Sequence, residues 1–283
     1  MKNTLRFTVV TPNYNMAAYL TQTIESVLAC LGPDDEYFVI DGGSTDGSVE
    51  ILRRYADRLT GWVSEPDQGY ADAIHKGFSR ASGRYLCWIN SSDFLLPGAL
   101  NLAAQHIDKL GCDMIFGDDL CVGDDNRIIE YSRGDCGNLA GMMLFGEWTP
   151  LQDACFWRSD LYRKVGGLDV SMRNAADFDL FARFAVTGDV RYVPEVFSAF
   201  RRHNGQKSLA NSQAYRDERT QSRQVLIAQS GYGVLRRLWL RAIYFVAVRW
   251  RAHVMHRHVW RVSGLAGQNA LEVAAGTPIG RMA

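Results

Sequence analysis

The chain has 283 residues, 47% of them hydrophobic and 22% charged, which is the composition of an ordinary globular protein and not of a disordered one. That length suffices for one large α/β domain, or for one domain with an extension. The formal net charge of zero hides an asymmetry: from residue 221 onward there are nine Arg, no Lys, no Asp and one Glu (Glu272), so the body carries the opposite excess and the tail is built for a different partner.

Residues 1–6 lead almost directly into a strand, without the apolar stretch of a signal peptide. "RFTVVTPN" is a β-branched run ending in a turn. Residues 17–30 have helical spacing, with Leu20, Ile24, Val27 and Leu28 on one face. "EYFVIDGG" is a second buried strand, and "TDGSVEILRRYADRL" is a helix that Ser44, Thr45 or Asp46 can cap. "GWVSEPDQG" is a short strand and turn, "YADAIHKGFSRAS" a third helix, and "RYLCWIN" a fourth strand. This alternation predicts a parallel sheet with helices on both faces, whose ligands sit outside the carboxyl ends of the strands.

The second half is less regular. "CDMIFGDDLCV" and "NRIIEYS" read as antiparallel strands joined at Gly123-Asp124-Asp125. "DACFWRSDLYRKVGGLD" is a strand, then a helix stopped by Gly166-Gly167. "NAADFDLFARFAVTG" is a helix with acids in its first turn, and "RYVPEVFSAFRRH" is extended and ends in a basic cluster. The six cysteines (30, 87, 112, 121, 136, 155) form no CxxC pair, which points to a reducing compartment and no structural zinc.

Polar clusters fall at the four strand ends: Pro12-Asn13-Tyr14-Asn15, Asp41-Gly42-Gly43-Ser44, Glu65-Pro66-Asp67 and Ser91-Ser92-Asp93. Neither GxGxxG nor GxxxxGK[ST] is present. The carboxylates Asp41, Asp67 and Asp93 would repel a diphosphate unless a divalent cation stood between. Taken alone, Asp93 reads equally as a cation ligand or as a helix N-cap. Asp177 and Asp179 are candidates for a general base or simple helix-end charge. His203 reads as a ligand for phosphate or metal, or as a structural histidine.

Together "VVTPNYN", "VIDGGSTDGS", "SEPDQGYADAIHKGFSRASGRYLCWINSSD", "VGGLD" and "AADFDLFAR" resemble, in order and spacing, the inverting family-2 glycosyltransferases of the GT-A fold, and most closely the bacterial enzymes of cell-surface polysaccharide synthesis. The likeness runs over about residues 5–210. It implies a Rossmann-like, mostly parallel central sheet flanked by helices, with residues 1–105 as the nucleotide-sugar half, 106–215 as the acceptor and catalytic half, and 216–283 as a basic amphipathic helical extension. By the same resemblance Pro12, Asn13, Tyr14 and Asp41 line the nucleoside pocket. Glu65, Asp67, Lys76, Ser91 and Ser92 border the nucleotide-sugar. Asp93 and His203 hold Mn²⁺ or Mg²⁺, and Asp177 is the catalytic base. The donor expected on family frequency is a UDP-sugar, and the acceptor a saccharide or lipid-linked glycan. Three departures stand out. Asn90 and Ser92 replace acids common in relatives, which leaves one carboxylate in that motif. His75 replaces an Asn, and Ala176 stands where an acid is frequent.

Residues 234–262, "VLRRLWLRAIYFVAVRWRAHVMHRHVWRV", alternate Arg and His with apolar residues. The uncharged stretch Ala242 to Val248 is far short of the ~20 residues of a spanning helix. The tail reads either as a helix lying on an anionic membrane or as one packed on protein. The expected location is cytoplasmic, and the first reading places it at the cytoplasmic face of the inner membrane. No nucleic-acid motif accompanies the basic stretch. A non-catalytic nucleotide-sugar or glycan-binding protein on the same fold is the alternative function. A nucleotidyltransferase is disfavoured because "TPNYNMAAYL" contains neither glycine nor lysine.

Overall fold

A computed structural model gives the architecture. The structure describes residues 7–134, 139–145, 149–205, 212–229, 233, 235, 238–242, 245–246 and 265–276. The first half alternates strand and helix as expected: β1 (Phe7–Asn13), α1 (Ala17–Cys30), β2 (Glu36–Asp41), α2 (Ser48–Tyr55), β3 (Gly61–Ser64), α3 (Tyr70–Phe78) and β4 (Tyr85–Trp88). Strands β3, β2, β1 and β4 pair in parallel in that order, so their carboxyl ends share one edge.

Two short elements then follow, β5 (Phe94–Leu95) and α4 (Ala99–Leu110). Asp93 is therefore not a helix cap: Gly98, in a left-handed conformation, precedes α4, and β5 intervenes. The hairpin β6 (Met114–Val122) and β7 (Ile128–Ser132) turns at Gly123 to Asn126, as its sequence predicts. After α5 (Leu139–Phe145) come β8 (Cys155–Arg158), α6 (Ser159–Lys164), α7 (Ala176–Thr187) and β9 (Val190–Arg201). Strand β8 lies antiparallel between β4 and β6, and β9 runs parallel to β6, so the second half makes the sheet mixed. Helices α8 (Ser212–Gln229) and α9 (Ala270–Gly276) follow.

One core is continuous beneath the strand ends. Phe178, Phe181 and Phe184 recur at helical spacing on the buried face of α7. Phe181 stacks on Trp88 at 5.7 Å, and Trp88 meets Trp157 edge-on at 5.4 Å, so α7 is seated on β4 and β8. Gly77 lets α3 lie against β1, since a Cβ there would stand 2.6 Å from Val10 Cγ1. A second, smaller core holds Leu120, Val122 and Ile128 of the hairpin against Ala270 and Ala274 of α9.

Candidate active site

The first three strand ends are tied into one wall by Asp41. This carboxylate is fully buried. Asn13 Nδ2 and Ser44 Oγ donate to Oδ1 at 2.6 and 2.5 Å; Ser44 N, Gly43 N and Ser64 Oγ donate to Oδ2 at 2.9, 3.2 and 2.6 Å. Burial alone would raise its pKa, but the bonds from Ser44, Ser64 and Asn13 outweigh it and hold the carboxyl below its ordinary value. Both oxygens are thus filled by their own loops, and a nucleoside base reaching Asp41 would have to displace one of those donors. Asn13 O accepts from Gly42 N, while Pro12 pairs with Ile40 within the sheet. Tyr14, 61% exposed, stands on the open side of this wall.

Asp67 packs on the same wall. Its Oδ2 would lie 2.6 Å from a Cβ at residue 42, so a side chain there would push the Asp67 carboxylate aside. Its Oδ1 accepts from Gly69 N at 2.7 Å. Lys76 reaches Glu65 at 3.0 Å and Asp72 at 3.4 Å, with Glu65 half-exposed. Tyr70, at the head of α3, joins this loop to the turn before α7: its hydroxyl donates to Asn174 O and accepts from Ala176 N at 2.8 Å. Nothing local to residue 70 signals that link.

The fourth strand end is held from the far side of the sheet. Asp93 is buried; Arg201 N donates to its Oδ1 at 3.0 Å, with Ser92 Oγ at 3.4 Å, and Asn90 Nδ2 donates to Oδ2 at 3.2 Å. Ser91, beside them in the turn, is buried too. The Arg201 side chain is buried and gathers Ser92 O, Gly123 O, Asp124 O, Gln22 and Asn126. Its guanidinium also lies 5.1 Å over the Tyr19 ring. The "RRH" cluster marks this arginine in the sequence, but only the fold shows that it faces inward. Burial first, and the charge of Asp153 second, push the Asp93 carboxyl up to about 7. Asp119 is likewise raised by burial and by Asp153.

A divalent cation fits this end in a limited way. Two carboxylate oxygens offer about four lone-pair sites, and three donors, two of them at 3.2 and 3.4 Å, leave Asp93 room to serve as one ligand. Hard cations often take one or two carboxylates plus substrate phosphates. His203 is mostly buried, which lowers its pKa and keeps the imidazole neutral, as a ligand must be. Its ring packs 5.0 Å from Tyr19, and no described contact joins it to Asp93. Among the described residues no group of three His, Cys, Asp or Glu is gathered that could hold a metal.

The two candidate bases are separated by their surroundings. Asp179 is consumed: Arg183 pairs with it at 2.6 Å and Ser222 Oγ donates to it at 2.7 Å. Asp177 Oδ1 is buried and has no hydrogen-bond partner among the described residues. Burial raises the Asp177 carboxyl to about 6, against the backbone amides at the head of α7 and the Arg219 charge, which lower it. A desolvated carboxylate with a vacant acceptor atom, at a helix start that Tyr70 ties to the loop after β3, can take a proton.

The profile of glycosyl transferase family 2 matches residues 8–160, more than half of the chain. The chain belongs to glycosyl transferase family 2. Within the family it is 33% identical over 183 residues to an uncharacterized glycosyltransferase of Mycobacterium tuberculosis, covering 63% of this chain and 68% of that one. Its fold is that of S. aureus TarS 1–349 in complex with UDP-GlcNAc: TM-score 0.69 at 16% identity, covering 86% of this chain and 72% of that one. The chain spans 43% of the longer S. aureus TarS chain. It is also similar in fold to the mannosyltransferase PcManGT of Pyrobaculum calidifontis in complex with GDP-Man and Mn²⁺, with TM-score 0.58 at 15% identity, covering 96% and 86%. The family-2 match ends before Asp177 and His203, so those two residues rest on their own geometry.

Proposed function

We propose that this glycosyltransferase moves a sugar from a UDP-sugar to a hydroxyl of a saccharide or lipid-linked glycan, with inversion, in cell-surface polysaccharide synthesis. The observation that carries the reading is Asp177: a desolvated carboxylate with one oxygen unpartnered, at the head of the helix that Tyr70, from the loop after β3, touches through Asn174 and Ala176. The nucleotide-sugar lies along Pro12, Asn13, Tyr14, Glu65, Asp67 and Lys76, with Asp41 bracing the wall behind. The UDP-GlcNAc and GDP-Man complexes of proteins sharing the fold support a nucleotide-sugar donor. The Asp177 carboxylate accepts the proton of the acceptor hydroxyl as that oxygen bonds to the anomeric carbon. The bond to the diphosphate breaks on the opposite face, and its electron pair leaves with the nucleotide. One displacement inverts the centre and needs no enzyme nucleophile. A divalent cation bound by Asp93 and His203 would neutralise the leaving diphosphate. The basic, aromatic tail supports a lipid surface at the cytoplasmic face as the place where the acceptor is met.

The test compares wild type with Asp177→Asn. Turnover of UDP-sugar in the presence of membrane extract is expected to fall by about 10²- to 10⁴-fold, while UDP binding stays within about twofold. Undiminished turnover in the variant would reject Asp177 as base, and a wild type that binds donor without turnover would make the chain a binding protein.

A further inference from the structure

Asp177 opens α7, but the residues that fix it come from α8. Glu218 of α8 accepts four hydrogen bonds from the turn leading into α7. Arg173 N and Asn174 Nδ2 donate to Oε1 at 3.2 and 2.8 Å, and Asn174 N and Ala175 N donate to Oε2 at 2.9 and 2.8 Å. The amides at a helix start have no intrahelical acceptor, and negative charge is favoured beside them. One turn further along α8, Ser222 holds Asp179, itself one turn beyond Ala175. The two contacts are therefore spaced alike on both helices and lock them in register. Between them buried Arg219 lays its guanidinium 4.7 Å over the ring of Phe178, the residue next to Asp177. Arg223, from the following turn, covers the same ring at 5.5 Å and donates to Met143 O, which ties α8 to α5 as well.

We infer that α8 is the positioning element of the catalytic carboxylate: Glu218 holds the turn that presents Asp177, and Glu218 and Arg219 together set the charge it feels. The described groups facing Asp177 are Tyr70 from α3, Cys155 from β8, and Tyr215, Glu218 and Arg219 from α8, with Asp179 and Arg183 on α7 itself. Tyr70, Tyr215 and Cys155 are all raised by burial and stay neutral near pH 7. Asp179 and Arg183 neutralise each other as an ion pair. That leaves Glu218 and Arg219, which act with opposite sign: the carboxylate raises Asp177 and the guanidinium lowers it. Neighbouring residues of one helix thus hold the base ionised but not inert near neutral pH.

This inference rests on Asp177 being the base, and the test keeps the two apart. The Asp177 carboxyl is followed by ¹³C NMR titration of the full chain, its signal identified by loss in Asp177→Asn. The wild-type midpoint is expected near 6. Arg219→Met should raise it by about 1 unit and Glu218→Gln should lower it by a similar amount. Arg219→Lys, which keeps the charge, and Ser222→Ala should stay near wild type. An unchanged midpoint in Arg219→Met and Glu218→Gln overturns the inference. If Glu218→Gln does not fold, the pair Arg219→Met and Arg219→Lys decides, because a merely structural arginine would not separate them by charge. Turnover by Asp177→Asn would defeat the general-base reading while leaving the titration result to stand by itself.

Discussion

At the scale of single residues, three aspartates, one ending β2 and two opening α7, have different chemistry. Asp41 is saturated by five donors, Asp179 is spent on Arg183 and Ser222, and Asp177 keeps an open oxygen. A base must be ionised to accept a proton, so activity should rise with pH through about 6 and level off above it. A rate profile with no acid limb in that region would remove Asp177 from the role. Asp41 predicts stability instead of rate. Its folded pKa lies below its unfolded one, so its contribution is complete above the unfolded value of about 4 and is lost as pH falls through the folded value. Asp41→Asn turns an acceptor into a donor facing Asn13, Ser44 and Ser64. It should cost about 1–3 kcal/mol at pH 7 and weaken the acid dependence, read from urea melts at pH 7 and pH 3. The residues alone marked Asp177 and Asp179 alike, because much of their difference lies in what α8 brings: Ser222 to Asp179, and Glu218 and Arg219 to the start of α7. Glu218 and Arg201 were not legible as site residues for the same reason: charged side chains carry no local sign that they face inward.

At the scale of elements, the alternation over residues 6–90 was legible because apolar period and glycine punctuation agree with the fold there. What escaped was short or paired at a distance. The two residues of β5 are a strand only because Phe94 and Leu95 pair with Ala199 and Ser198. The crossing of β8 between β4 and β6 leaves no periodic trace in its four residues. Asp46 shows how one cap can serve two elements. Its Oδ1 accepts from Ser48 at the start of α2, and its Oδ2 accepts from Ala17 N at the start of α1, 2.8 Å away. Asp46→Ala should therefore cost about 1–2 kcal/mol, the upper part of the range for one cap, and lower Tm by several degrees in a thermal melt. A change below about 0.3 kcal/mol would mean that water replaces the carboxylate at both helix starts.

At the scale of the molecule, the body and the tail answer to different surroundings. The expected tail helix over 234–262 lies largely outside the described residues, but the parts described there are helical and carry Leu235, Trp239 and Phe245 at 83, 59 and 70% exposure. No described helix is long and apolar enough to cross a membrane. The arginine excess around those apolar groups predicts sedimentation with anionic vesicles, lost above about 0.5 M salt if charge leads the binding. Equal sedimentation with neutral vesicles would favour a protein partner for the tail. The C-terminal segment beyond it returns to the body, where Gln268 O and Gly267 N pair with Ile128 and Ala270 N donates to Asn126 O. Asn126 in turn holds Arg201, the residue that fixes Asp93. The claim on which all scales depend is that the joined strand ends bind a nucleotide diphosphate. Calorimetric titration of UDP, GDP and dTDP into the full chain, each with and without Mn²⁺, tests it directly. UDP is expected to bind, and to bind more tightly with Mn²⁺; failure of all three nucleotides to bind under either condition would overturn it.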